Sequence, residues 1–301
     1  MMTKEQKDWL KSHTTVRLNE PMSLHTTFKI GGMAEAYVTP TEEELVQIVT
    51  FGAKNDIPVT VLGNGSNVLV SDDGIAGIVV SISRPMSQIS IEGERITVQA
   101  GAMLAAVARA AGDEALAGLE FAGGIPGSVG GAVVMNAGAY SGQISDVLRS
   151  VRVLNEDGGF VNYTADELEL GYRHSIFMEE AHRDEIMVSA EFELVPGDRY
   201  EIVARMEDYN ARRRDKQPLE YPSAGSTFKR PEGYFAGKLI QESGLAGYTV
   251  GGASVSEKHC GFVINTGGAS AADVKALISH VQSEVERRFG VHLEKEVQYI
   301  G

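Results

Sequence analysis

Hydrophobic residues at helical spacing are the first regular feature of the chain. Leu45, Ile48 and Val49 recur at intervals of three and four residues, which places them on one face of a helix. Thr41 and Glu44 come before them at the spacing of a capping box, which marks a helix start. Similar patterns predict helices at 41–55, 103–115, 200–214, 235–243 and 270–290.

Short apolar or alternating runs between these helices indicate β-strands. The turn Asn-Glu-Asp-Gly at 155–158 separates two such runs and predicts a hairpin. The strands are predicted at 59–62, 68–70, 78–82, 96–100, 151–154, 160–163, 187–194, 250–255, 262–265 and 297–300. Their spacing is too irregular for a barrel of repeating βα units, so the expected fold class is α+β.

The stretch 118–142 is rich in glycine. Seven glycines lie in its later part: Gly123, Gly124, Gly127, Gly130, Gly131, Gly138 and Gly142. Because glycine has no side chain, several backbone N–H groups can point at one anion, which suits a pyrophosphate. A flexible linker is the alternative, but linkers rarely interleave apolar residues such as Val129 and Val133. The stretch therefore predicts a ligand-binding loop at 122–131, and a second loop of this kind is predicted at 63–67.

Composition narrows the class of protein. Of the 301 residues, 43% are hydrophobic and 23% are charged, as is usual for a globular enzyme. No apolar run approaches the roughly 20 residues of a membrane span. The N-terminus lacks the apolar core of a secretory signal, and the single cysteine, Cys260, excludes an internal disulfide. We therefore expect a cytoplasmic protein without membrane insertion.

Charge argues against a nucleic-acid partner, because the net charge is −14. Positive residues are nevertheless concentrated in one segment: Arg212, Arg213, Arg214, Lys216, Lys229, Arg230 and Lys238. Such a cluster can hold a small anionic ligand. For the three consecutive arginines, an equally good explanation is that they lie in solvent at the C-terminus of a helix, where the helix dipole stabilises positive charge.

Known phosphate and metal motifs are absent. Gly63 and Gly65 supply two glycines of a dinucleotide fingerprint, but Val68 takes the third place and a strand follows instead of a helix. The chain has no G-x-x-x-x-G-K-[ST], no C-x-x-C and no H-E-x-x-H, so no metal site is predicted. Three histidines lie near motifs, and we expect each to have a packing or polar role: His25, His174 and His259.

Seven motifs occur in order along the chain. They are TTFKIGG at 26–32, LGNGSN at 62–67, GGIPGSVGGA at 123–132, MNAGAY at 135–140, GYRHS at 171–175, GSTFKRP at 225–231 and LEKEVQYIG at 293–301. Together they resemble the MurB family of UDP-N-acetylenolpyruvoylglucosamine reductases. The resemblance spans nearly the whole chain from about residue 25.

This resemblance implies a fold and an activity. The fold is a two-lobed FAD-binding domain of the vanillyl-alcohol-oxidase (PCMH) type with a C-terminal α+β substrate-binding domain, divided here as 1–82, 83–198 and 199–301. The activity is NADPH-dependent reduction of the enolpyruvyl ether of UDP-N-acetylglucosamine to UDP-N-acetylmuramate, a peptidoglycan precursor, with noncovalent FAD. The chain lacks room for the tyrosine-bearing loop of type I members, so it is similar to type II.

Alternatives and partners follow from the same comparison. A flavin-dependent oxidase of the same fold, acting on an alcohol or a sugar, is the alternative activity. The implied small-molecule partner is a UDP-sugar, and we expect a monomer or a weak dimer.

The resemblance also implies residue roles. Arg173 would stabilise charge on the substrate carboxylate, and Ser226 would donate a proton to C2. Glu296 would polarise the carboxylate by donating a proton, which requires a pKa raised by burial. Glu294 would share its strand face if the last strand began early enough, so the choice depends on the motif. The residues implied for FAD are Gly63, Asn64, Gly65, Ser66, Asn67, Gly124, Ile125, Gly127, Ser128, Gly130, Gly131 and Arg213. Those implied for the UDP-sugar are Tyr172, Lys229, Lys238, Gln241 and Asn265.

Overall fold

The computed structural model describes residues 1–301, and its contacts group the chain into two units. Unit 1 comprises Met1–Leu18, Glu35–Asn64 and Gly77–Arg213, and unit 2 comprises Asn19–Ala34, Gly65–Ala76 and Arg214–Gly301. The predicted division at 82/83 and 198/199 stays a prediction. The contacts assign most of the helix that begins at Arg199 to unit 1, because its residues Ile202 and Met206 pack against Gly112 of that unit.

Seven α-helices are present. They are α1 Lys4–His13, α2 Glu42–Lys54, α3 Leu104–Asp113, α4 Val129–Val134, α5 Arg199–Lys216, α6 Ala236–Glu242 and α7 Ala271–Phe289. All five predicted helices are confirmed, with small shifts at their ends, whereas α1 and α4 were not predicted. None of the helices combines the length and apolar composition that crossing a bilayer would require.

The capping box of α2 is formed as predicted. Thr41 Oγ1 accepts from the Glu44 N–H (3.3 Å), and Glu44 Oε2 accepts from the Thr41 N–H (3.0 Å). Replacing Thr41 by alanine removes the first acceptor, so we expect a loss of about 1 kcal/mol in the free energy of unfolding. Urea titration would measure the loss. Glu43→Gln, in the same turn, should cost less, and an unchanged midpoint for T41A would refute the cap.

Eighteen strands form small sheets. They are β1 Val16–Pro21, β2 Met33–Val38, β3 Val59–Leu62, β4 Val68–Val70, β5 Ile75–Ser81, β6 Ile89–Glu92, β7 Arg95–Gln99, β8 Leu116–Ala117, β9 Gly138–Ala139, β10 Gly142–Gln143, β11 Leu148–Leu154, β12 Phe160–Thr164, β13 Ile186–Glu193, β14 Val195–Pro196, β15 Thr249–Val250, β16 Ala253–Val255, β17 Val263–Asn265 and β18 Gln298–Ile300. The largest sheet has the order β12-β11-β13-β7-β6, and a four-stranded sheet has the order β1-β2-β5-β3. The predicted hairpin is confirmed as the antiparallel pair β11–β12.

Each unit has its own hydrophobic core. In unit 1, Leu45 and Ile48 of α2 are fully buried together with Ile78 of β5 and Ile96 of β7. In unit 2 the core is built around the apolar face of α7: Val274, Leu277, Ile278, Val281 and Val285. The apolar spacing that predicted these helices is thus the spacing of their buried faces.

The glycine-rich stretch is only partly a loop. A 3₁₀ helix covers Glu120–Gly124, and α4 begins at Val129 with Ser128 as its N-cap. The prediction of a loop through residue 131 was therefore wrong for its last residues. Two glycines are tolerated in α4 because the helix packs closely on its neighbour: a Cβ on Gly130 would lie 3.1 Å from the Ala100 Cβ.

Candidate active site

Two glycine-containing segments of unit 1 lie directly against each other. The Asn64 side-chain amide donates to the Pro126 carbonyl (2.5 Å), so the start of the predicted loop 63–67 is hydrogen-bonded to the predicted loop 122–131. Gly63 faces Ser128 so closely that a Cβ would collide with the Ser128 Oγ. Ser128 is buried, whereas Gly124 and Gly127 stay partly exposed. Unit 1 thus brings together residues that the sequence analysis assigned to FAD from two separate motifs.

Not every glycine of the second segment offers its amide to a ligand. The Gly130 N–H donates to the Ala100 carbonyl (2.9 Å), and the Val129 N–H donates to the Ala102 carbonyl (2.9 Å). This amide of Gly130 is therefore used within the protein. The predicted contacts of Ile125, Gly127, Gly130 and Gly131 with FAD stay predictions.

Arg213, near the end of α5, offers a cation next to this segment. A Cβ on Gly124 would lie 3.4 Å from the Arg213 Cδ. Burial lowers the pKa of the Arg213 guanidinium, and the Tyr140 phenol partly opposes that shift. No carboxylate offsets this desolvation, and the Tyr140 phenol does so only in part. An anionic or electron-rich ligand group beside Gly124 would offset this cost, and the site therefore fits a dinucleotide.

Arg173 also belongs to unit 1, in a tight turn between Gly171 and His174. Its Nη2 donates to the Gly138 carbonyl (2.8 Å), and its guanidinium carbon lies 5.2 Å from the Tyr172 ring centroid. Tyr172 is 53% exposed, and its predicted contact with the UDP-sugar stays a prediction. The turn is fixed to α4 because the fully buried Ser175 donates its hydroxyl to the Val134 carbonyl (2.5 Å).

Ser226 and Glu296 lie close together in unit 2. Thr227, which directly follows Ser226, is buried. Its carbonyl accepts a hydrogen bond from the Glu296 N–H (2.9 Å). The Thr227 Oγ1 accepts from the Val263 N–H (2.9 Å), which fixes this segment to β17. Ser226 itself is partly exposed, whereas Glu296 is 9% exposed. The structure therefore joins two of the three predicted catalytic segments.

The remainder of the first glycine motif contacts the Glu296 segment. The Asn67 amide donates to the Glu296 carbonyl (3.1 Å), and the Asn67 carbonyl accepts from the Gln298 N–H (2.9 Å). Gly65 has φ 63°, and a Cβ there would collide with the His25 carbonyl. Only glycine fits this position. Asn67, predicted for FAD, and Glu296, predicted for catalysis, are thus neighbours, while Ser66 beside them is partly exposed.

The residues predicted for the UDP-sugar have different surroundings. The Lys229 ammonium pairs with Glu294 (2.6 Å), and Lys238 pairs with Glu242 (3.7 Å) at the surface. Gln241 is exposed. The Asn265 amide is 7% exposed and is used internally: it donates to the Phe28 carbonyl (3.1 Å) and accepts from two N–H groups of its own loop. Asn265 therefore shapes the loop, and its contact with substrate stays a prediction.

Comparison with known proteins decides the family. A family model described as "UDP-N-acetylenolpyruvoylglucosamine reductase, C-terminal domain" matches residues 217–300, and a model described as "FAD binding domain" matches residues 34–164. A UDP-N-acetylenolpyruvoylglucosamine reductase of Agathobacter rectalis is 54% identical over 295 residues, which cover 94% of this chain and 93% of the relative. The chain belongs to the UDP-N-acetylenolpyruvoylglucosamine reductase family. The predicted resemblance is confirmed.

Solved structures agree with this family and its fold. The crystal structure of the MurB reductase from Thermus caldophilus is 35% identical, with a TM-score of 0.81, and covers 96% of this chain and 99% of that chain. A Phl p 4 variant described as a glucose oxidase is 14% identical with a TM-score of 0.50 over 65% of this chain and 45% of that chain, which shows a shared fold alone. The predicted α+β fold with an FAD-binding domain of the PCMH type is confirmed.

Three buried polar residues of this reductase family member had no role in the sequence analysis, although each lies in a quoted motif. Asn136 and Ser175 hold the Arg173 turn, and Thr227 holds the Ser226 and Glu296 segments. Each follows or precedes a predicted site residue by a few positions. From the sequence alone, the only sign of their role is that each is a polar residue within a motif. The structure shows that their side chains point inward.

The single cysteine, Cys260, belongs to unit 2. The thiol is buried, and burial raises its pKa. Because the thiolate is the reactive form, we expect the native protein to react with a disulfide reagent far more slowly than free cysteine at neutral pH, with a rate that rises at higher pH. Absorbance of the released thiol would measure this. The denatured protein is the control, and equal rates before and after denaturation would contradict the prediction.

Proposed function

We propose that this chain catalyses the NADPH-dependent reduction of UDP-N-acetylenolpyruvoylglucosamine to UDP-N-acetylmuramate, a step of peptidoglycan precursor synthesis. The observation that carries the proposal is the family membership, at 54% identity over 94% of the chain. Local structure supports it, since Ser226 and Glu296 belong to segments joined through Thr227.

FAD fits the residues of both glycine motifs. In unit 1, Gly63, Asn64 and Gly124 would hold it together with the Arg213 guanidinium. Asn67 is a further residue that the resemblance assigns to FAD. When bound, FAD would supply the hydride-transfer chemistry between NADPH and the enolpyruvyl group.

Arg173 would stabilise the negative charge that the substrate gains. Hydride addition to C3 leaves an electron pair at C2, which is delocalised onto the neighbouring carboxylate. A guanidinium is always charged and can meet a carboxylate with two parallel N–H donors. One donor of Arg173 is held by the Gly138 carbonyl (2.8 Å), which fixes the plane of the guanidinium before substrate binds.

Ser226 and Glu296 would complete the reaction. Ser226 gives its hydroxyl proton to C2, where the electron pair forms the new C–H bond. A serine hydroxyl is a weak acid, and a carbanion-like C2 is basic enough to take its proton. Glu296 assists while protonated, because only its neutral form can donate a hydrogen bond to the substrate carboxylate. The residue is 9% exposed, so its carboxyl is largely shielded from water.

Turnover with the purified holoenzyme tests the proposal. NADPH should be consumed only when UDP-N-acetylenolpyruvoylglucosamine is present, and the product should gain two hydrogens by mass spectrometry. Heat denaturation should release FAD into solution. Equal NADPH consumption without the sugar would contradict the reductase, and oxidation of an alcohol or sugar with oxygen would support the alternative oxidase instead.

Location and assembly are part of the same proposal. We expect the enzyme to act in the cytoplasm, where its nucleotide-sugar substrate and NADPH are made, and to be a monomer or weak dimer. Sedimentation velocity over a range of protein concentrations would measure the assembly state.

A further inference from the structure

Arg173 is connected at two points to one short turn, 136–138. The guanidinium donates from Nη2 to the Gly138 carbonyl (2.8 Å). The backbone of its own loop is held by Asn136, whose Nδ2 donates to the Gly171 carbonyl (2.9 Å). The Arg173 guanidinium and the Gly171 carbonyl at the start of its turn are therefore both hydrogen-bonded to residues of the same segment, 136–138.

The Asn136 side chain is buried and fully used. It is 1% exposed, and its Oδ1 accepts from the Ser145 N–H (2.9 Å) while Nδ2 donates to Gly171. A primary amide carries its donor and its acceptor on two separate atoms, so one side chain can bond both backbone groups. Aspartate would place a second acceptor against the Gly171 carbonyl, and a hydrocarbon would leave the Ser145 N–H without its acceptor and the Gly171 carbonyl with only the His174 N–H (3.3 Å).

Backbone strain is concentrated in the same place. Asn136 has φ 42° and Arg173 has φ 54°, and both are left-handed values that non-glycine residues rarely adopt. Strained residues of this kind persist where the surroundings over-determine them, commonly at active sites. Asparagine adopts a left-handed φ more readily than most residues, because its short polar side chain can hydrogen-bond locally. Arg173 keeps its left-handed φ through the contacts that hold its turn.

We infer that Asn136 is a positioning residue for the reduction, which sets the Arg173 guanidinium through the hydrogen bond to the Gly171 carbonyl. The inference rests on the proposed role of Arg173. It assigns Asn136 no contact with substrate or flavin. Its effect should therefore reach only those steps in which the substrate carboxylate meets Arg173.

Binding of two nucleotide sugars tests the inference without turnover. UDP-N-acetylmuramate carries the carboxylate that Arg173 would meet, and UDP-N-acetylglucosamine lacks it. For Asn136→Asp, calorimetry should give weaker binding of the first sugar and unchanged binding of the second. In stopped-flow experiments, reduction of the flavin by NADPH should keep its wild-type rate, while its reoxidation by the enolpyruvyl substrate should slow by about 10²-fold, as a misplacement near 1 Å would cost.

Two further variants separate positioning from stability. Asn136→Gly adopts the left-handed φ without strain but has no side-chain amide. It should therefore also bind UDP-N-acetylmuramate more weakly and UDP-N-acetylglucosamine unchanged. This variant provides the test if the aspartate variant does not fold. Thr41→Ala removes the N-cap of α2, which lies outside residues 136–138 and 171–174, and should change neither sugar's binding.

The outcomes distinguish the inference from the proposed function. Wild-type discrimination in N136G, or an equal effect of T41A, would overturn the positioning role. If Arg173→Lys itself leaves both the binding difference and the reoxidation rate unchanged, the role of Arg173 fails first. If flavin reoxidation is slow in R173K but has its wild-type rate in N136D, the inference about Asn136 fails while the role of Arg173 stands.

Discussion

Ser226→Ala is expected to slow reoxidation of the flavin by the enolpyruvyl substrate by about 10²- to 10⁴-fold, the usual contribution of a positioned proton donor. Reduction of the flavin by NADPH should keep its rate, because no step of it uses this hydroxyl. The loop geometry should survive, since Gly225 supplies the left-handed φ of 75° and Thr227 makes the buried contacts. Stopped-flow absorbance of the flavin separates the two half-reactions.

Ser223→Ala is the matched control for this variant. Ser223 lies three residues earlier on the same loop, is half-buried, and contributes its backbone carbonyl, not its hydroxyl, to the hydrogen bond from Thr27 (2.7 Å). Both half-reactions should stay at wild-type rates in S223A. An unimpaired second half-reaction in S226A would remove Ser226 from the mechanism, whereas loss of both half-reactions would indicate a damaged fold.

Local patterns predicted most of the regular structure because each element carries its own signal. The capping boxes at Thr41 and Ser270 gave helix starts that the structure reproduces, and Gly290 in a left-handed conformation ends α7. The short α4 escaped prediction because two of its six residues are glycines, which disfavour a helix. Its stability comes from packing on Ala100, a contact with a residue distant in sequence that no local pattern reveals.

The two glutamates of the last motif, Glu294 and Glu296, show where periodicity fails. Alternation along a strand would place Glu294 and Glu296 on one face, but the last strand begins only at Gln298. In the irregular segment before it, the Glu294 side chain is 67% exposed and pairs with Lys229, while Glu296 is buried. Alternation could not distinguish these two carboxylates, and the catalytic role that the motif assigns to Glu296 stays a prediction.

The supporting residues could not be predicted because their partners are distant in sequence. Asn136 reaches Gly171, and Asn67 reaches Glu296, across separations of 35 and 229 residues. A single sequence contains no information on which carbonyl such an amide will meet. It can suggest only that a polar residue in a glycine-rich motif has a reason to be there.

Arg173→Lys should slow the same half-reaction by about 10²- to 10³-fold, the typical cost of losing one donor to a developing oxyanion. Lysine keeps the positive charge but loses the planar pair of donors, so the residual rate measures charge alone. The variant should also bind UDP-N-acetylmuramate more weakly and leave UDP-N-acetylglucosamine binding unchanged.

The control for this change is Arg149→Lys, which makes the same exchange at a surface arginine. Arg149 also belongs to unit 1, but its guanidinium pairs with Glu191 (3.0 Å) and Glu193 (2.9 Å) on the exposed face of the large sheet. Exposed pairs contribute about 0–1 kcal/mol, so R149K should retain both half-reactions. If R173K matches R149K in rate and in sugar binding, the carboxylate charge must be stabilised by some other group.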